Sequence, residues 1–210
     1  MKIKVYSIHG IHDAAWLGNA FEVVNSPSKA DVIIYPGGAD ISPLLYGAKP
    51  SKCTWPSEHR DKEEVRIFNE NKGKFHIGLC RGAQLLTSLA GGKLVQDVSN
   101  HHGYHDIVVD DDGKKDVITT NSIHHQMMYP FDLPEEDYEI IGWTNGLSRH
   151  YLMDDDTILK ELQCEPEIVY YPKIRAMCFQ GHPEMMSVTS KFVQFANYIT
   201  LKKYGSTSKI

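Results

Sequence analysis

Cys80 lies in the run Gly78-Leu79-Cys80-Arg81-Gly82-Ala83-Gln84, after an apolar stretch and before Leu85, Leu86 and Leu89 at helical spacing. A cysteine with glycine two residues to either side, at a strand-to-helix corner, is the thiol counterpart of the Gly-x-Ser-x-Gly nucleophile elbow. Such a corner uses backbone angles that glycine tolerates and lets the helix fold back onto the strand. It holds the sulfur at a helix N-terminus, where the dipole and free N–H groups favour a thiolate, the form that attacks carbonyl carbon. Small residues surround buried structural cysteines as well, so the motif needs a partner.

That partner stands far downstream, where Ala176 to Gln180 has strand character and runs into Gly181-His182-Pro183-Glu184. A thiol nucleophile needs a base to take its proton and return it to the leaving amine, and the base needs a group to fix its tautomer. His182 suits the first role and Glu184 the second. Alone, His-Pro-Glu reads more readily as a loop histidine at a helix start, with the acid near its dipole. Two such motifs at sheet-to-helix junctions favour a Cys80–His182–Glu184 triad. A third element follows the buried-strand pattern Asp31 to Tyr35: the Pro36-Gly37-Gly38 turn, whose glycines leave backbone N–H groups unobstructed. The N–H groups of Gly38 and Arg81 form the natural pair to stabilise charge on an acyl oxygen.

The elements that must carry these residues alternate along the chain. Strands are expected at Ile3–Ile8, Phe21–Val24, Val32–Tyr35 and Phe75–Leu79, with helices at Glu58–Asn71 and Arg81–Ala90. This order predicts an α/β fold of three layers, an open, mostly parallel sheet with helices on both faces and its ligands at the carboxyl ends of the strands. Ile107–Val109 and Val117–Thr119 around Asp110 to Gly113 read as a hairpin; Tyr138–Trp143 and Thr157–Tyr171 read as further antiparallel, peripheral strands. Ser187–Tyr204 reads as a closing helix with Val188, Phe192, Phe195 and Ile199 on one face. The expected organisation is one domain over residues 1–204 with a frayed tail at 205–210.

The chain resembles the class I glutamine amidotransferases, a flavodoxin-like fold, and within them the γ-glutamyl hydrolase (peptidase C26) branch of the γ-glutamyl-γ-aminobutyrate hydrolase type. The resemblance rests on YPGGADISPLLYG, GLCRGAQLL followed by AGGKLVQDV, NSIHHQ and FQGHPEM, in family order from about residue 32 to residue 186. It implies Cys80 as nucleophile, His182 as base, Glu184 as orienter, and Gly38 and Arg81 as oxyanion donors. It further implies a glutamyl pocket drawn from Gly37, Gln84, Ser122, His124, His125 and Gln126. Two departures stand out. Gly181 sits where relatives often carry an aromatic residue, which predicts a more open pocket wall. Only about 30 residues precede the glycine loop, which predicts a reduced element near the sheet edge.

Composition bounds the function. A chain of 210 residues with 41% hydrophobic residues supports one sizeable core, and a net charge of −5 argues against nucleic-acid binding. There is no membrane-length apolar run, and the N-terminus begins a strand instead of a signal peptide. Four scattered cysteines without metal or redox spacing suit a reduced, cytoplasmic setting. The histidines His101, His102 and His105 and the pair His124-His125 lack carboxylates at familiar ligand spacing, so neither metal nor cofactor is expected. Arg60, Asp61 and Glu64 match a charged stretch of the family, but read from residues alone they form an exposed helix start.

The expected partner is a small-molecule γ-glutamyl substrate. The leading reading is a thiol hydrolase that cuts a γ-glutamyl amide, glutamine or a γ-glutamyl conjugate, through a γ-glutamyl-Cys80 thioester. The alternative is a glutaminase subunit that passes ammonia to a separate synthetase chain. A non-catalytic binding module fits the intact triad poorly.

Overall fold

The computed structural model describes residues 1–207. The first half of the chain builds β1 (Ile3–Ser7), β2 (Phe21–Val23), β3 (Val32–Tyr35), α1 (Glu58–Glu70), β4 (Phe75–Leu79) and α2 (Arg81–Leu89). The second half opens with short strands β5 (Lys93–Val95) and β6 (Asp97–Val98), then the hairpin β7 (His102–Asp111) and β8 (Lys114–Ile123). It continues through β9 (Met127–Tyr129), β10 (Glu139–Thr144), β11 (Tyr151–Asp154), β12 (Thr157–Leu159), β13 (Glu165–Tyr171), β14 (Ala176–Phe179) and α3 (Lys191–Thr207).

Nine strands form one sheet in the order β2-β1-β3-β4-β14-β13-β10-β7-β8. Period-two alternation divides its faces, as the side chains of β3 illustrate. Val32 and Ile34 join the core under α3 and the 3-10 segment Ile11–Ala20, while Ile33 and Tyr35 join the core under α1 and α2. All four are completely buried. Each aliphatic side chain so buried contributes about 1.5–3 kcal/mol. The three-layer α/β reading therefore holds.

Several local expectations change. The strands from β2 through β14 are parallel, but β13, β10, β7 and β8 continue the same sheet in antiparallel pairing and are not peripheral to it. Strand β13 is buried along its whole length, Glu165 and Glu167 included. Those two carboxylates break the apolar run by which a central strand is recognised. The β1–β2 connection is the 3-10 segment, kinked at Gly18 (φ 69), with no α-helix. Its Trp16 packs edge-on against Phe179 at 5.6 Å. Val188 precedes α3 and is exposed, so the buried face of that helix is Phe192, Val193, Ala196 and Ile199. Helix α3 runs to Thr207, past the expected boundary at 204, and residues 208–210 of the expected tail lie outside the described residues. Among the described residues no helix is long and apolar enough to cross a membrane.

Candidate active site

Strands β3, β4 and β14 are neighbours and parallel, so their carboxyl ends deliver three loops to one edge of the sheet. Pro36-Gly37-Gly38 follows β3, Cys80 follows β4, and Gln180 to Glu184 follows β14. Cys80 is the corner itself, with φ 49 and ψ −107, a conformation costly for any residue with a β-carbon. Its N–H donates to Phe179 O at 2.7 Å, and its carbonyl accepts from Gln84 N at 3.1 Å, which holds the corner from both sides. The flanking glycines are required by close approach. A β-carbon on Gly82 would lie 1.8 Å from the carbonyl oxygen of Tyr35, and one on Gly78 2.5 Å from the backbone nitrogen of Ala83.

His182 Nδ1 pairs with Glu184 Oε1 at 2.7 Å, which leaves Nε2 for Cys80. Burial opposes a charge on this imidazole, but hydrogen bonds and attraction to Cys80 and Glu184 outweigh it and raise the pKa to about 10. Asn121 holds the backbone of His182 at both ends, Oδ1 accepting from His182 N at 2.9 Å and Nδ2 donating to His182 O at 3.0 Å. A thiol beside an imidazole whose far nitrogen is held by a carboxylate is the arrangement nucleophilic catalysis needs. Gly37 closes the third side: a β-carbon there would sit 2.8 Å from His182 Cε1 and 3.7 Å from Cys80 Cβ. The other thiols are suppressed. Burial pushes Cys178 well up, burial and Glu165 raise Cys164 to about 11, and burial with Asp97 and Asp155 raises Cys53.

Residues 19–141 match the peptidase C26 family. The chain belongs to that family. Over 80 residues it is 39% identical to a Lactococcus lactis protein described as glutamine amidotransferase-like, YvdE, a match that covers 37% of this chain and 34% of that one. The chain thus spans about a third of the length of that relative. A Thermoplasma acidophilum structure described as one chain of a GMP synthase is similar over 100% of this chain and 97% of its own, with TM-score 0.60 at 16% identity. A glutamine amidotransferase structure from Thermotoga maritima is similar over 100% and 86%, with TM-score 0.54 at 15% identity. At such identities the two structures establish the fold, that of class I glutamine amidotransferases.

The C26 site does not expose every side chain expected in the glutamyl pocket. Gln84 Nε2 donates to Gln126 O at 2.8 Å, Ser122 Oγ donates to His101 O at 2.8 Å, and Gln126 Nε2 donates to Thr54 Oγ1 at 3.1 Å, all in buried positions. His124 Nδ1 pairs with Gln126 O at 2.9 Å, and burial, the foremost cause, lowers its pKa to about 3. All four side chains are buried and bonded within the protein. His125 is half-buried between Asp40 and Asp97 at 3.1 and 3.3 Å. Its bond to Asp40 raises its pKa, against burial. The sequence carries no sign of Asn121 as a clamp on His182, although it begins the NSIHHQ run, nor of Gln180, whose Nε2 lies 4.0 Å from Cys80 Sγ.

Gly181 in this C26 chain does not open the pocket. A β-carbon there would meet Thr120 Oγ1 at 2.4 Å, Asn121 O at 2.9 Å and Phe192 Cζ at 3.3 Å, so the glycine lets β8 approach closely. Gly181→Ala is therefore expected to destabilise the fold by about 1–3 kcal/mol, the cost of overpacking, and to displace the Asn121 clamp. Thermal denaturation and kinetics check this. Losses confined to bulky substrates, with stability unchanged, would restore the open-wall reading.

Nor is the start of α1 simply exposed. Asp61 and Glu64 are buried against the fully buried Arg81, which donates to both carboxylates. Elsewhere His101, His124 and Glu167 bring ligand-type atoms within 4.8 Å of one another. His101 lies between Glu165 and Glu167 at 3.4 Å from each. Burial opposes its charge, but bonds to the two carboxylates raise its pKa to about 9. His101 thus stands as an ion-pair partner of two buried carboxylates.

Proposed function

We propose that the protein hydrolyses a γ-glutamyl amide through a thioester on Cys80. The carrying observation is the convergence of Cys80 and His182 at the ends of adjacent strands, with His182 Nδ1 on Glu184 Oε1 at 2.7 Å. In this reading the Cys80 thiolate attacks the γ-carbonyl carbon, and the N–H groups of Gly38 and Arg81 receive the negative oxygen. The C–N bond then breaks as the His182 imidazolium passes its proton to the departing amine. His182, now neutral, takes a proton from water, hydroxide attacks the thioester, and glutamate leaves as the Cys80 thiol is restored. Glu184 keeps Nδ1 protonated throughout and stabilises the imidazolium.

A second reading draws on the likeness to the structure described as part of a GMP synthase: ammonia from glutamine passes to a separate synthetase chain. The chemistry at Cys80 is the same and only the fate of the amine differs. Assay of the isolated chain against glutamine and a panel of γ-glutamyl amides separates the two. Turnover of a conjugate without a partner is expected. Activity that arises only with a second protein would favour the ammonia-transfer reading, and no activity under either condition would sink both.

A further inference from the structure

We propose that Arg60 is a positioning residue that aims the oxyanion-loop N–H groups at Cys80. Its Nη2 donates to Pro36 O at 2.9 Å and its Nη1 to Gly37 O at 3.0 Å, while its Nε donates to Glu64 Oε1 at 2.7 Å. One planar guanidinium thus holds two successive carbonyls of the loop and a buried carboxylate. In a trans peptide the C=O and the N–H point in opposite directions. Gly37 O belongs to the peptide that carries the Gly38 N–H, and Pro36 O to the one that carries the Gly37 N–H. Carbonyls drawn toward Arg60 therefore turn both N–H groups away from it.

The side they turn toward is the reacting side. The loop lies between two groups. On the Gly38 side is Arg60, with Nη1 2.0 Å from where a β-carbon would be; on the Gly37 side are His182 and Cys80. Arg60 also ties the two donors together. Glu64 accepts from Arg60 through Oε1 and from Arg81 through Oε2, and Arg81 supplies the second N–H. Asp61 completes the frame: Oδ1 accepts from Arg81 and Oδ2 accepts from Ser42 N at 2.8 Å. A pair of glycines has no side chain to hold its peptide planes and rotates easily without such a clamp. A lysine retains the charge but lacks the planar fork that reaches both carbonyls and Glu64.

The role of the loop in γ-glutamyl transfer rests on the proposed function, so the test uses reagents that do not depend on that substrate. Acylation of Cys80 by p-nitrophenyl acetate passes through an oxyanion, whereas alkylation by iodoacetamide is a direct displacement at carbon that forms none. Both rates are measured by mass spectrometry on the parent protein, Arg60→Gln and Arg60→Lys, with Cys53 as the internal reference. Alkylation is expected to stay within about twofold in the variants while acylation falls by about 10²-fold, the scale of losing one oxyanion donor. Amide hydrogen exchange at Gly37 and Gly38 is expected to accelerate in both variants while the rest of the sheet stays protected. Equal loss of acylation and alkylation would mean that Arg60 supports the thiol or the fold, and unchanged rates with unchanged exchange would remove it from the site. Failure of γ-glutamyl turnover in the parent would bear on the substrate alone and leave the rate ratio to judge Arg60.

Discussion

Cys80→Ala is expected to abolish γ-glutamyl turnover, by about 10⁶-fold on the scale of measured triad nucleophiles, with the fold retained. The other thiols cannot substitute. Cys178 is completely buried and Cys164 has its pKa raised to about 11, so neither offers an accessible thiolate at neutral pH. A glutamine analogue bearing an electrophilic carbon at the amide position is expected to add its mass to Cys80 and leave Cys53, Cys164 and Cys178 unmodified. The corner adds a second readout. At φ 49 and ψ −107 a β-carbon is strained, and such residues cost about 1–3 kcal/mol. Alanine keeps that β-carbon and glycine does not. Cys80→Gly is therefore expected to melt higher than Cys80→Ala, the reverse of the order in a helix interior. Near-normal turnover in Cys80→Ala rules out the covalent mechanism, and a lower melting temperature for Cys80→Gly rules out the strained corner.

Removal of the base is expected to cost nearly as much as removal of the nucleophile, since the two act as a unit. His182→Ala is expected to lose about 10⁶-fold and Glu184→Gln about 10⁴-fold. The pH profile distinguishes their roles. The His182 pKa is raised to about 10, so the imidazolium that protonates the leaving amine persists to that pH and the rate falls as pH rises through it. Glu184 is one of the two anions that raise the value, against burial. Glu184→Gln must shift the alkaline limb toward lower pH. Small, equal losses at His182 and Glu184, or an alkaline limb indifferent to Glu184, would mean that the triad is misassigned.

Local motifs carried much of this site. The Cys80 corner, the Gly37-Gly38 turn and the His182-Pro183-Glu184 step each occupy a few consecutive residues at the end of a short apolar strand. The geometry they need is reflected directly in residue type. A helix that crosses the Tyr35 carbonyl at such short range leaves room only for glycine at position 82. The alternation of β1, β3, β4, α1 and α2 was legible for the same reason, because periods of 2 and 3.6 are written within single elements.

What the chain does between distant segments was not legible. The sequence shows Asp61 and Glu64 among charged neighbours on a helix, and their partner Arg81 lies 20 and 17 residues away. Only the packing of α1 beside the corner brings that guanidinium between them and converts an apparently solvated face into the frame behind the oxyanion loop. Gly181 read as a missing aromatic wall, yet its neighbours Thr120 and Asn121 come from β8, about 60 positions earlier and at the far edge of the sheet order. In the same way Glu165 and Glu167 interrupt the apolar run of β13, and their partner His101, which lies between them, comes from another segment of the chain. By itself the sequence determined the strand-to-helix corners and the residue types that stand on them, because backbone angles and close approach are local constraints. Which charges are buried, which glycine clears a neighbouring strand and which side chain aims the loop were decided only in the tertiary structure, where the partner in each case arrives from another element.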